Sequence, residues 1–318
     1  MTNAILLALA PIFFVLLLGY GAGRYQIVDN HKVDSLNALV MNFALPASLF
    51  AATASASRSE MIAQAPLFAL FGIVMLAIFF VWYLGSKIIL KEAPANASLQ
   101  ALTLAFPNLA GVGLPIMSAV VGPSGGVPLA IALASGSILV SPLSLIIVEM
   151  SLNPDSGGAE TPTARILRSI WHALTKPVVL APALGILISL SGLKTDAVVD
   201  ACLLLIGHAA PGVALFLTGL ILSSQAFKLN WRIVRATAVA DIIRPLLAAA
   251  IVFSLPVPAE TARIIVLLAA IPSGFFGILF AVNYRQDSGA AGSMVTASTV
   301  FSIVTMAIVI GLLFPAKP

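Results

Sequence analysis

The stretch SLQALTLAFPNLAGVGLPIMSAV, at residues 98–120, is long and apolar enough to cross a bilayer but is interrupted in its middle. Pro107 removes a backbone hydrogen-bond donor and clashes with the preceding helical turn. Gly111 and Gly113, which follow it, tolerate unusual backbone angles. The stretch is therefore predicted to form two half-helices with an unwound link. Unwound backbone at this depth must be buried in protein or line a cavity.

The composition of the whole chain indicates a membrane protein. Of its 318 residues, 60% are hydrophobic and only 9% are charged, against about 25% charged in a soluble domain. Lipid must therefore be part of its solvent, which restricts a spanning chain to a helix bundle or a closed barrel. Continuous apolar runs of about 20 residues favour helices, because barrel strands are about half as long.

Ten such runs predict an all-α polytopic membrane protein with about ten transmembrane helices. The ninth run is interrupted at Pro272 in the same way as the fourth is at Pro107. The predicted spans are 3–23, 34–54, 66–90, 98–120, 126–149, 172–191, 197–222, 231–255, 261–284 and 291–314.

The longest polar segment, 151–168, is predicted to be a loop that divides the spans five and five. This gives a first half at 1–150, a linker at 151–170 and a second half at 171–318. With five spans in each half, the second half enters the membrane from the opposite face, so any repeat between the halves must be inverted.

The prolines favour such a repeat. Pro46 and Pro211 differ by 165 positions, and so do Pro107 and Pro272. Twenty prolines make some shared offset certain, but this one is about half the chain and pairs span 2 with 7 and span 4 with 9. Inverted repeats with broken helices are typical of secondary transporters, which hold their substrate near the membrane midplane.

The charges predict the orientation and exclude other functions. Loops on one side of the spans carry eleven Lys and Arg residues and those on the other side carry four, so both termini are predicted outside and the linker in the cytoplasm. The basic balance reflects this topology and not nucleic-acid binding. Cys202 is the single cysteine, so no cysteine metal motif is present. No HExxH, Walker or dinucleotide motif points to an enzyme.

The predicted substrate site lies at the two interruptions. A half-helix N-terminus offers free N–H groups and a partial positive charge, which suit an anion. The alternative is a pair of kinks that serve only packing. The candidate residues at the interruptions are Asn108, Gly111, Gly113, Ser273 and Gly274, beside the crossover prolines Pro107 and Pro272.

Three further polar residues within spans are candidates, because such groups usually face the bundle interior. Asn42 is a candidate ligand for a carboxylate, or makes an interhelical hydrogen bond. His208 is a candidate donor or proton carrier. Arg244 is expensive in mid-span and is predicted either to pair with Asp241 or to act as a carboxylate-binding or gating cation.

The chain resembles the auxin efflux carrier family, in its bacterial branch. The resemblance covers essentially the whole chain and rests on segments 11–21 (PIFFVLLLGYG), 42–50 (NFALPASLF) and 107–115. It implies two inverted five-helix repeats of the elevator type, similar to bile-acid symporters, with a scaffold and a transport domain. Substrate would bind beside the crossing of spans 4 and 9. Asn108 matches an asparagine of plant members, whereas Ser273 replaces their second one, which argues against an indole-acid ligand.

The resemblance also implies the function. Bacterial relatives of this kind carry malonate or related dicarboxylates, so malonate is the leading expectation, with H⁺ or Na⁺ as a coupling ion and no other cofactor. His208 and Asp241 are the candidates for proton coupling. The expected location is the bacterial inner membrane, and a homodimer is left open. The alternatives are a bile-acid-type sodium symporter and, in another class, a membrane sensor of small anions.

Overall fold

The computed structural model describes residues 2–30, 32–122, 125–152, 162–224 and 230–315, which form helices and no strands. In chain order the helices are α1 (Thr2–Arg24), α2 (Asp34–Ala54), α3 (Arg58–Ala63), α4 (Ala65–Ile88), α5 (Pro94–Ala105), α6 (Leu114–Val120), α7 (Gly126–Leu152), α8 (Pro162–Thr175), α9 (Pro177–Ser191), α10 (Ala197–Ser223), α11 (Trp231–Phe253), α12 (Ala259–Ala270), α13 (Phe276–Asn283) and α14 (Gly289–Leu313).

Six helices in the described part of the chain, α2, α4, α7, α10, α11 and α14, are long and apolar enough to cross a membrane. The prediction of an all-helical polytopic membrane protein is thus confirmed. Predicted spans 4 and 9 are each divided into two helices, α5 with α6 and α12 with α13. The interruptions predicted at Pro107 and Pro272 are therefore present.

The prediction of a loop over 151–168 is wrong for its second part. The helix α8 begins at Pro162, where proline is favoured because the first helical N–H needs no partner. Residues 153–161 lie outside the described residues. Leu167, Trp171 and Leu174 of α8 are exposed at helical spacing, which is typical of a helix that lies in the membrane interface. The sixth apolar helix begins only at Pro177.

Among the described residues, the helical backbone widens into a π turn at four places, each ending two residues before a proline. Proline lacks the N–H donor and clashes with the carbonyl four residues earlier, and the wider turn relieves both problems. In two of these turns the residue four positions before the proline is polar, namely Asn42 before Pro46 and Asp241 before Pro245. The four turns are Val40–Ala44, Leu109–Gly113, Gly136–Val140 and Val239–Ile243.

Two helix pairs pack in close contact, α1 with α10 and α2 with α9. At Gly19 of α1, a Cβ would lie 2.0 Å from the carbonyl oxygen of Phe216. At Gly185 of α9, it would lie 2.0 Å from the hydroxyl of Thr53. Small residues thus let the backbones approach, which is the main way that helices associate in lipid.

We expect Gly19→Ala to destabilise the protein by about 1–3 kcal/mol, the range for overpacking a tight contact. Its matched control is Gly21→Ala on the same helix, because a Cβ there meets nothing within 4 Å. Thermal unfolding of the purified protein in detergent measures both variants. Equal melting temperatures for the two variants would contradict the close α1–α10 contact.

The remaining long helices pack around the interrupted ones. The helix α5 packs on α4, α7 and α13, and α12 packs on α11 and α14. Several of the largest fully buried side chains lie at the points where α5 and α12 end, namely Arg244, Phe106, Phe275 and Phe276. The core of this bundle is therefore centred on the two interruptions.

Candidate crossover site

The segments that follow α5 and α12 cross each other as a short antiparallel pair. Pro107 and Ser273 form an isolated bridge. The backbone N–H of Asn108 donates to the carbonyl of Pro272 at 2.8 Å. The two interruptions are thus one structural feature, in which each unwound segment supplies hydrogen-bond partners that the other has lost from its helix.

Gly274 is the point of closest approach in the crossing. Its N–H donates to the carbonyls of Phe106, at 3.0 Å, and Thr103, at 3.1 Å. A Cβ on Gly274 would lie 2.2 Å from the Phe106 oxygen. The Phe106 ring stacks on that of Phe276, with centroids 4.4 Å apart. Backbone contact and ring stacking therefore hold the two segments in one arrangement.

Arg244 is fully buried beneath the crossing and holds the ends of both first half-helices. Its Nε donates to the carbonyl of Ala269 at 2.8 Å, and its terminal nitrogens donate to the carbonyls of Leu104 and Ile271. A cation at two helix C-termini is favoured by both helix dipoles. This explains why an arginine is tolerated at this depth.

The predicted ion pair between Arg244 and Asp241 is not formed among the described residues. The guanidinium nitrogens instead bind backbone carbonyls, so the structural alternative for Arg244 takes a different form from the one predicted. A substrate-binding or gating role for this residue stays a prediction.

Asp241 is linked to the crossing through a serine. The hydroxyl of Ser298, on α14, donates to the Oδ1 atom of Asp241 at 2.7 Å and accepts from the N–H of Ser273 at 2.8 Å. All three residues are buried. A carboxyl group in the π turn of α11 is therefore two hydrogen bonds away from the second interruption.

The Asn108 side chain caps the N-terminus of the helical segment that follows the first interruption. Its Oδ1 accepts from the N–H of Gly111 at 3.0 Å, as the side chain of a helix N-cap does. Asn108 is 2% exposed. A Cβ on Gly111 would lie 2.9 Å from that Oδ1. Gly113 is also buried, and its Cβ would meet Leu129.

The structure brings together most of the predicted site residues, but two lie apart from this cluster. Asn42 and His208 are exposed. No hydrogen bond joins either side chain to the crossing segments within the described part of the chain. His208 lies at a turn that divides α10 into two helical parts.

The sequence gives little sign of two other contacts at the crossing. Ser298 is one of several small polar residues in α14, and nothing in its spacing marks it as the partner of Asp241. Asn37 donates to the carbonyl of Leu279 at 3.1 Å, which ties α2 to α13. The available sequence signal for this contact was a second asparagine, Asn37, in the same predicted span as Asn42.

Over almost its whole length, the chain is similar to a transport protein family and to proteins named as transporters. A family profile described as "Membrane transport protein" matches residues 4–310. "Uncharacterized transporter YfdV" of Escherichia coli (strain K12) is 30% identical over 297 residues, covering 93% of this chain and 94% of that protein. Its Shigella flexneri counterpart matches equally. An "Uncharacterized transporter" of Methanothermobacter thermautotrophicus is 25% identical over 309 residues, with the same coverage.

Proposed function

We propose, since this chain belongs to the membrane transport protein family, that it is a secondary transporter which moves a small organic anion by alternating access. The family match confirms the resemblance to auxin efflux carriers. The observation that carries the proposal is the crossing of two interrupted helices at Pro107 and Ser273. Secondary transporters typically bind substrate where such broken helices meet.

The helix packing supports ten spans in two inverted repeats. An inverted repeat that relates α1 to α9 and α2 to α10 exchanges the pair α1–α10 with the pair α2–α9, and both pairs pack closely. The same exchange relates α4–α5 to α11–α12. In this proposal the six long helices, together with α1, α9 and the two divided spans, make up the ten.

The same packing supports two groups of helices, of which one moves relative to the other. The proposed scaffold consists of α1, α2, α9 and α10, and the proposed transport domain consists of α4 to α7 and α11 to α14. Arg244 and the backbone bonds of the crossing join α5, α11 and α12 within the second group. These bonds favour motion of the crossing as one rigid unit against the scaffold, as in an elevator mechanism.

Malonate is the proposed substrate. Its two carboxylates match two helical segments that start beside the crossing, after Asn108 and after Phe275, because helix N-termini favour anions. Asn108 and Ser273 are both buried, so substrate would reach them only after the transport domain moves. The exposed Asn42 and His208 lie in the proposed scaffold, where they would contact the anion on its way.

The proposed location is the bacterial inner membrane, with both termini on the periplasmic side. The excess of Lys and Arg in the loops of one face supports this orientation. The interfacial helix α8 would then lie on the cytoplasmic face. We also propose a homodimer, which light scattering of the purified protein would distinguish from a monomer.

Uptake of labelled malonate into proteoliposomes tests the proposal. We expect uptake to exceed that of protein-free vesicles and to fall when excess unlabelled malonate is added, whereas an excess of a neutral diamide of similar size should have no effect. Uptake equal to that of empty vesicles would exclude malonate. If labelled mono- and dicarboxylates also fail to exchange across the vesicle membrane, the transporter mechanism is wrong for this class of substrate.

A further inference from the structure

Only one of the two carboxyl oxygens of Asp241 has a hydrogen-bond partner within the described part of the chain. The side chain is buried, with 1% of its surface exposed. Its Oδ1 atom accepts the hydrogen bond from Ser298 at 2.7 Å. Its Oδ2 atom is buried and has no hydrogen-bond partner within the described part of the chain. A buried carboxylate oxygen without a donor is energetically expensive when it carries charge.

Within the described part of the chain Asp241 forms no ion pair, although the positive charge of Arg244 acts on it from the same helix. Arg244, three residues further on, directs its nitrogens to three backbone carbonyls. The helices packed on this turn are α5, α12 and α14. The first and the last contain no charged residue, and α12 has only Glu260 and Arg263 in its first two turns, both exposed. On α11 itself, Arg232 pairs with Glu92 and Arg235 is exposed.

An apolar groove adjoins the carboxyl group. It has a volume of about 400 Å³ and lies between α11, α12 and α14. Pro245, Val266 and Phe301 line it, and of the described residues that form its walls only Asp241 and Thr305 are polar. The carboxyl group therefore faces apolar side chains on this side, which favours the neutral acid over the carboxylate.

We propose that Asp241 is the site that takes up and releases a proton which accompanies the anion. This inference rests on the proposed transporter function. In the resting state the Oδ2 atom of Asp241 carries the proton. When the transport domain opens to water, the O–H bond breaks, the proton passes to water, and the carboxylate keeps the electron pair. No other reactant is needed.

The link from Asp241 to the substrate site passes through Ser298. A hydrogen bond to a charged acceptor is about twice as strong as one to a neutral acceptor. Loss of the proton therefore tightens the bond from Ser298, whose oxygen also accepts from the N–H of Ser273. The charge state of Asp241 is in this way communicated to the backbone of the second interruption.

A proton is also suited to the charge of the cargo. A dianion that enters against an inside-negative potential works against about 2.3 kcal/mol per charge per 100 mV. One proton carried with it halves that opposition. His208, the other predicted proton carrier, is exposed and has no hydrogen bond to the crossing in the described part of the chain. The geometry therefore favours Asp241 of the two.

The test uses the full-length protein in proteoliposomes with labelled malonate as the probe. An inward proton gradient of one pH unit should raise steady-state accumulation by up to tenfold for one coupled proton. Asp241→Asn keeps the acceptor for Ser298 but cannot titrate. In this variant the proton gradient should no longer raise accumulation, while malonate exchange without a gradient continues. Glu149→Gln is the matched control, because Glu149 is a buried carboxyl with partners in Tyr284 and His172, and should keep the response.

A second measurement does not depend on transport. The infrared difference spectrum between wild type and Asp241→Asn should contain the carbonyl stretch of a protonated acid at neutral pH. The proposal is overturned if this band is absent, if Asp241→Asn keeps the full response to the proton gradient, or if a sodium gradient alone drives accumulation. Absence of any malonate exchange by wild type would instead count against the proposed substrate, and the infrared band would still decide the proton site.

Discussion

Replacement of Arg244 by methionine is expected to lower the free energy of unfolding by at least about 3 kcal/mol. The change removes the donors to the carbonyls of Leu104, Ala269 and Ile271. Each hydrogen bond from a charged group contributes roughly 1.5–3 kcal/mol, and each buried acceptor left without a partner has a further cost. Arg244 is fully buried, so the three carbonyls that it contacts lie away from the protein surface.

The matched control is Arg244→Lys. Lysine keeps the charge, but its single ammonium cannot reach carbonyls on two different chain segments as the fork of a guanidinium can. We expect its melting temperature in detergent to lie between those of wild type and the methionine variant. A methionine variant as stable as wild type would show that the three carbonyl bonds do not hold the crossing.

The second large effect is expected from Gly274→Ala. The added Cβ would lie 2.2 Å from the carbonyl oxygen of Phe106 and 3.0 Å from that of Pro107. Non-bonded heavy atoms pack at roughly 3.5 Å, so the two segments would have to separate by about 1 Å. That shift stretches the bonds at 2.8–3.1 Å that join the segments. We expect a loss of about 3 kcal/mol, at the upper end for overpacking, together with loss of malonate exchange.

Gly212→Ala separates this steric effect from a general effect of replacing glycine. Gly212 lies in α10, and a Cβ there meets nothing within 4 Å. Its stability and exchange rate should match those of wild type. Exchange by Gly274→Ala at the wild-type rate would mean that the crossing tolerates separation and is not the rigid centre of the transport domain.

The sequence predicts the interruptions because the effects of proline and glycine are local. Pro107 and Pro272 each end a helix within two residues. The effect is equally local at Pro46 and Pro245, because each lies two residues after a widened turn. Helix positions were likewise predictable, since long apolar runs leave few other structures in lipid.

The partners of the buried polar groups could not be predicted, because they come from distant parts of the chain. Arg244 binds a carbonyl 140 positions away, and Asp241 binds a serine 57 positions away. The exposure of Asn42 and His208 depends on how α2 and α10 are rotated, which an apolar composition on all sides leaves undetermined. The polar residues before position 168 favour a loop, whereas Leu167, Trp171 and Leu174 recur at helical spacing, and the structure follows that spacing in α8.

Malonate binding by purified wild type and two Asn108 variants tests most directly whether the anion binds at the crossing. Malonate at about 100 times its dissociation constant should stabilise wild type by about 2.7 kcal/mol, seen as a rise in melting temperature. Asn108→Ser keeps an N-cap hydroxyl for Gly111 and should retain wild-type stability without ligand.

In both Asn108→Ser and Asn108→Ala, loss of the amide contact should weaken binding about tenfold or more, the effect of one hydrogen bond to a charged ligand. Only the alanine variant should also lose the cap, about 1 kcal/mol of stability without ligand. The predicted result is therefore a reduced malonate response in both variants, with lowered basal stability in one. A full malonate response in both variants would place the anion elsewhere, and no response in wild type would contradict malonate as the ligand.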